Sequence, residues 1–317
     1  MSAAERPHDS AHPGGKASGI VWFAIVLAGL GWGTGTVATR AALLAGVPPF
    51  LLLAARFTLA TVLVLVWLVV RGEIPRDRPV WRDGAILGVV NMAMPTFFFT
   101  LSLQHLSAGI GGLLIALVPL GTAFWAHWLL EDEPLHTAKI VGMAVALGGV
   151  AVLLLTGDVG LPPSANLPLG VGLMLIGVIL AALGGTLTRR YVERHRVSDL
   201  ALPQFLAGAI TAIVVAVFAG ELLAGWGFGD DGWAALLYLA TVSTVLPFLA
   251  FLSASRLASA TTASLIGYVV PVIGVIGGVL VLGETVTLSL VAGGILILAG
   301  VLIVERSERL RIAPITP

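Results

Sequence analysis

A few polar and aromatic side chains interrupt otherwise unbroken apolar runs in this 317-residue chain, and any chemistry it performs rests on them. Arg56 is the foremost. Its planar guanidinium carries five donors in a fixed fork, which suits two tasks: clamping the carboxylate or phosphate of a ligand, or binding carbonyls at helix ends and so tying its own helix to the neighbours. Asn91 stands four residues before Pro95, where its amide can bond a polar ligand or a carbonyl that proline leaves unbonded. Trp32, Phe98, Trp125 and Tyr268 can supply an aromatic wall, and Tyr268 adds a hydroxyl three residues before Pro271. Thr241, Ser243 and Thr244 lie just before Pro247 and can line the same site or bond back to the preceding turn. His127, near the edge of an apolar run, suits either a proton path or interfacial packing. Trp32, Arg56, Asn91, Phe98, Thr244 and Tyr268 form the candidate ligand-binding set.

The same inventory excludes most enzymatic chemistry. There are no cysteines, which removes disulfides, thiolate nucleophiles and thiolate metal sites together. The histidines, at 8, 12, 105, 127, 136 and 195, are scattered with no His-Glu-x-x-His arrangement, so no metal is expected. Gly227-Phe228-Gly229-Asp230 spells a pattern found in intramembrane aspartyl proteases. That chemistry needs a second embedded aspartate to share a proton, and no apolar span is expected to hold one. Runs such as Gly109-Ile110-Gly111-Gly112 are not phosphate loops, since no strand precedes and no Lys-Ser/Thr follows; they suit close helix approach. A formal net charge of +0 argues against a nucleic-acid partner. Neither enzymatic activity nor a cofactor is expected.

The elements that must position these residues are membrane helices. The chain is 58% hydrophobic and 11% charged, with mean hydropathy +1.03, against about a quarter charged in soluble domains. Runs long enough to cross a hydrocarbon core fall near 20–38, 49–70, 83–103, 108–130, 138–156, 168–187, 201–223, 233–253, 260–281 and 287–304. The first is too long for a signal-peptide core and reads as an uncleaved span. Residues 1–18 read as a disordered tail, 157–167 as a linker and 305–317 as a second tail.

The runs repeat. Eleven positions separate Ala108 from Pro119 and Ala260 from Pro271, and nine separate Glu133 from Gly142 and Glu284 from Gly293. Pro95 matches Pro247, Arg56-Phe57 falls opposite Gln204-Phe205, and Thr39-Arg40 opposite Thr188-Arg189. The unit is therefore five helices, roughly 19–156 and 168–304. With the N-terminus in the cytoplasm, 15 of the 17 basic residues lie in cytoplasmic segments, Arg40 and Arg56 being the exceptions. Ten spans with both ends inside place the halves antiparallel, the inverted repeat of carriers that alternate access around a midplane site. On these boundaries Arg56 lies about 12 Å below the outer edge at 1.5 Å per residue, while Gln204 is expected near the inner surface.

Gly31-Trp32-Gly33-Thr34, Pro48-Pro49 followed by Ala55-Arg56-Phe57, the Leu-rich lead into Pro119, and the Glu133 and Glu284 turns with their Gly-rich helices resemble the drug/metabolite transporter superfamily, specifically its ten-helix EamA-like branch. The likeness covers nearly the whole chain apart from the tails. The chain departs at Glu131-Asp132-Glu133, which is more acidic than the usual single glutamate. The resemblance implies an all-α integral membrane protein of ten transmembrane helices in two inverted five-helix repeats. It further implies a bacterial cytoplasmic-membrane exporter of small metabolites, such as amino acids or related amines and carboxylates. The partners are then a small-molecule substrate and the lipid bilayer, with the protein a monomer or homodimer. Pro95, Pro119, Pro247 and Pro271 are candidate helix hinges. A channel-like facilitator or importer is the alternative, and an intramembrane enzyme a remote one. The acids sit at span edges, at Glu221, Glu284 and Glu305, so facilitated outflow stands beside proton coupling.

Overall fold

The computed structural model of the protein describes residues 16–129, 135–157, 165–222, 228–250 and 266–312, and every regular element among them is helical. In chain order these are α1 (Lys16–Leu44), α2 (Pro49–Arg71), α3 (Arg78–Ser102), α4 (Ala108–Leu129), α5 (Thr137–Thr156), α6 (Leu167–Val192), α7 (Val197–Phe218), α8 (Asp230–Ala250), α9 (Ile266–Leu282) and α10 (Leu288–Ile312). Among the described residues, 8 helices, α2 to α8 and α10, are long and apolar enough to cross a bilayer, and α9 contributes a shorter apolar stretch. Large apolar side chains such as Phe23, Val66, Leu147, Ile210 and Ile295 point outward and exposed, the surface of a protein solvated by lipid.

Helix ends are managed by proline, glycine and carboxylates. Pro49 opens α2, where its missing N–H leaves nothing unbonded. The Glu221 carboxylate then accepts hydrogen bonds from the amides of Phe50 (2.7 Å) and Leu51 (2.9 Å), placing negative charge at the positive end of the helix. Gly72 (φ 67°) and Gly220 (φ 75°) stop α2 and α7 in the left-handed conformation that glycine adopts without strain.

The packing is that of an inverted repeat. Leu53, Ala54 and Phe57 of α2 meet Ala209, Ala212 and Ala216 of α7, and Ala60, Val64 and Leu68 meet Ala201, Leu202 and Phe205. The two helices, equivalent by the repeat, therefore run antiparallel. So do α5 and α10: Gly142 lies against Gly300 and Gly149 against Gly293. The other contacts come in mates, α1 on α9 matched by α6 on α4, and α1 on α8 matched by α6 on α3. Equivalent helices that meet antiparallel are related by an axis in the membrane plane, the geometry of inverted-topology repeats.

Candidate functional site

The site starts from two proline breaks. Pro95 and Pro247 lack the amide that a helix needs, and their rings would clash with the carbonyl four residues back. In both helices the turn before the proline widens: Gly88–Ala93 of α3 and Thr241–Val245 of α8 are π-helical. The amides of Met94 and Leu246 reach back five residues, to Val89 and Thr241. An unbroken α-helix would have carried the amides of residues 95 and 247 to the carbonyls of Asn91 and Ser243, equivalent positions of the two repeats. α1 and α6 close on these turns through glycines: Gly184 abuts Asn91 and Gly35 abuts Ser243, so a Cβ at either would overlap its neighbour.

Arg56 of α2 reaches the α8 break. Its Nε donates to Thr244 Oγ1 (2.8 Å), whose hydroxyl donates onward to the Leu239 carbonyl (2.7 Å), and its Nη2 donates to the Ser243 carbonyl at 3.4 Å. The guanidinium thus bonds the turn that precedes Pro247 and joins α2 to α8.

Between the repeats lies a cavity of about 530 Å³ whose wall includes Trp32, Arg56, Asn91 and Thr244. Its other polar groups are neutral, among them Thr36, Thr39, Thr96, Thr100, Thr188, Gln204 and Ser243, and Phe57, Phe99, Phe205 and Phe248 supply aromatic surface. Pro119 lines it too, just after α4 breaks at Ala116–Leu117. Arg56 is the one charged side chain in this wall among the described residues.

The two ends of the cavity differ. At the end bearing Gly46, Arg40 lines a separate recess of about 500 Å³ and its Nη1 donates to the Leu103 carbonyl at 2.5 Å, with Leu103 itself in the central wall. Beside it the Glu284 carboxylate accepts from the first amides of α4, Ala108 (2.7 Å) and Gly109 (3.2 Å). At the opposite end Asp83 is buried between Arg82 Nη2 (2.8 Å) and His195 Nε2 (3.0 Å), which pins the start of α3 to the turn between α6 and α7.

Four members of the candidate set, Trp32, Arg56, Asn91 and Thr244, share the cavity, and Phe98 does not. Phe98 packs edge-on against Phe97 at 5.2 Å, and the neighbouring Phe99 lines the wall instead. The Tyr268 side chain lies outside the described residues, as does the Glu131-Asp132-Glu133 turn. Trp125 is elsewhere, donating from Nε1 to the Ile179 carbonyl (3.2 Å), and His127 is exposed, its Nδ1 accepting from the Leu135 amide (3.2 Å). Thr241 bonds back to Leu237 (2.6 Å) and is not in the wall.

Gln204, two turns into α7, is buried and lines the same cavity as Arg56. One expectation is corrected. A span does contain an aspartate: Asp83 is the first residue of the run at 83–103, and α3 starts earlier still, at Arg78, with Pro79 in its first turn. Asp83 is tolerated there through its ion pair with Arg82 and its hydrogen bond with His195. It offers no proteolytic dyad, since Asp230 is exposed at the start of α8, the opposite end of the bundle. The cue to Asp83 was its neighbour Arg82; nothing local to either residue points to His195.

Membrane helices in inverted halves around a polar-lined cavity are the architecture of a membrane transporter. The chain belongs to the EamA-like transporter family of the drug/metabolite transporter superfamily, whose family model matches residues 18–155 and 168–306. It is 29% identical over 259 residues to "Uncharacterized inner membrane transporter YedA" of Escherichia coli (strain K12), covering 81% of each chain. It is 26% identical over 251 residues to "Uncharacterized transporter YyaM" of Bacillus subtilis (strain 168), covering 78% of this chain and 81% of that one. One solved crystal structure shares the fold at TM-score 0.64 and 21% identity, over 94% of this chain and 99% of the other.

Proposed function

We propose that the protein is a secondary transporter of the bacterial cytoplasmic membrane that exports a small metabolite, an amino acid or a related amine or carboxylate, by alternating access. The observation that carries this is the cavity of about 530 Å³ between inverted repeats, lined by aromatic faces and neutral hydrogen-bonding groups around one guanidinium. Such a lining binds without trapping, as turnover requires. Pro95, Pro119, Pro247 and Pro271 serve as hinges, the first three next to π-helical or broken turns. The name of the Escherichia coli relative agrees with an inner-membrane location.

Orientation follows from the basic residues, which put both termini and the segments at 71–82 and 189–196 in the cytoplasm. The Gly46 end then faces out. Because the chain has no native cysteine, Asn166→Cys should react with an impermeant maleimide from outside and Ser198→Cys only after the membrane is opened. Reaction of both from the same side would overturn the arrangement.

The transport reading is tested by expression in a host sensitive to toxic amino-acid analogues. Resistance should rise, and Trp32→Ala should reduce it several-fold at unchanged protein level. Purified protein in liposomes should show saturable uptake; if it moves no amino acid, amine or carboxylate but passes ions at channel rates, the protein is a pore.

A further inference from the structure

We infer that the cavity selects a small organic monoanion bearing one carboxylate, in preference to an amine, and that each cycle carries one net negative charge outward. The inference rests on the carrier reading above and narrows its substrate class.

The argument is one of charge. Arg56 stands alone among neutral groups in the described wall. The acids nearest the bundle's ends are committed elsewhere: Asp83 to Arg82 and His195, Glu221 to the start of α2, Glu284 to the start of α4. Residues 251–268, which precede and open α9, contain no acid either. An embedded cation without a counter-ion is unfavourable, and the two acceptors that Arg56 has, Thr244 Oγ1 and the Ser243 carbonyl, are neutral. Of five guanidinium N–H groups, these bonds engage two, leaving an edge that matches a carboxylate. An ammonium group in this cavity meets a like charge and, among the described residues, no carboxylate.

The energetics of the cycle follow. A loaded site is neutral, arginine plus carboxylate, whereas an empty site carries one positive charge. Export of the anion from a negative interior is downhill, by about 50-fold in concentration ratio per 100 mV. Outflow therefore needs no embedded acid to couple it to protons.

The test uses the purified full chain and three probes that share a phenyl ring: 3-phenylpropanoate, phenylalanine and 2-phenylethylamine. Binding is read from quenching of tryptophan fluorescence, since Trp32 lines the cavity. Transport is read in proteoliposomes whose potential is clamped with potassium and valinomycin. The acid should bind about 10-fold or more tightly than the amine, the range of a charge-assisted hydrogen bond, and its uptake should accelerate when the lumen is made positive. Arg56→Gln should lose that preference; glutamine occupies the equivalent position of α7, so the substitution suits a buried helix face. Arg56→Lys should keep part of it, having the charge without the fork. Amine binding as tight as the acid, no saturable acid binding, or wild-type acid affinity in Arg56→Gln overturns the inference. Saturable transport of phenylalanine or the amine without the acid does so too while leaving the carrier standing, whereas unsaturable passage of all three together with ions removes the carrier itself.

Discussion

Gly149→Val is expected to abolish folded protein, while Gly148→Ala, one residue earlier, leaves it intact. A Cβ at Gly149 would stand 2.6 Å from the Gly293 carbonyl oxygen and 2.9 Å from the Ile297 amide nitrogen, whereas one at Gly148 meets nothing within 4 Å. The atoms in the way at Gly149 are backbone of α10, which cannot rotate aside as a flexible side chain would. Overpacking a tight interface costs about 1–3 kcal/mol or more, so alanine at this position should lower the unfolding temperature measurably and valine should be prohibitive. Gly300 is its equivalent by the repeat and lies against the Gly142 carbonyl, so Gly300→Val should be as damaging. The measurements are monodisperse yield in detergent and thermal unfolding. Wild-type values for Gly149→Val would mean that α5 and α10 do not pack through these glycines.

Glu284→Gln should open the end of the cavity that bears Gly46, the outer one in the proposed orientation. The carboxylate accepts from two amides in the first turn of α4 at 2.7 and 3.2 Å, and Gly278 makes room for it, since a Cβ there would overlap its Oε2. Negative charge at that helix terminus is favourable, and a hydrogen bond to a charged group contributes about 1.5–3 kcal/mol. Its loss shifts the closed-to-open ratio by roughly 10- to 100-fold. Thr39 lines the central cavity from α1, so in the cysteine-free background Thr39→Cys reports the opening: an impermeant thiol reagent added outside should react faster when Glu284→Gln is also present. An unchanged rate would show that the carboxylate closes nothing.

All the helices were legible as apolar runs of bilayer length, because lipid demands such runs whatever the site requires. Their ends were not. α1 continues to Leu44, past the run that stops at 38, because Arg40 snorkels to the Leu103 carbonyl instead of ending the helix. α10 continues through charged residues to Ile312. The site was legible where it depended on residue type and hidden where it depended on register. Asn91 and Phe98 are seven residues apart, the same face of a regular α-helix. The wide turn before Pro95 takes up one extra residue, so position 99 occupies that face. Nothing in the local pattern marks such a turn except the proline after it, and proline alone does not say whether the turn widens or kinks.

The antiparallel seam between α2 and α7 also explains how a cavity built by duplication can hold a single charge. Two identical halves about a twofold axis present every group in pairs: each would bring an arginine at this position, two cations in one low-dielectric chamber, or neither would. Covalent joining of the halves releases that constraint, because each copy can then change alone. Arg56 carries a guanidinium where Gln204 carries a neutral amide, and Ser243 stands where its counterpart is Asn91. The architecture is symmetric and the valence of the site is odd, a combination open to a fused chain and closed to a dimer of identical halves.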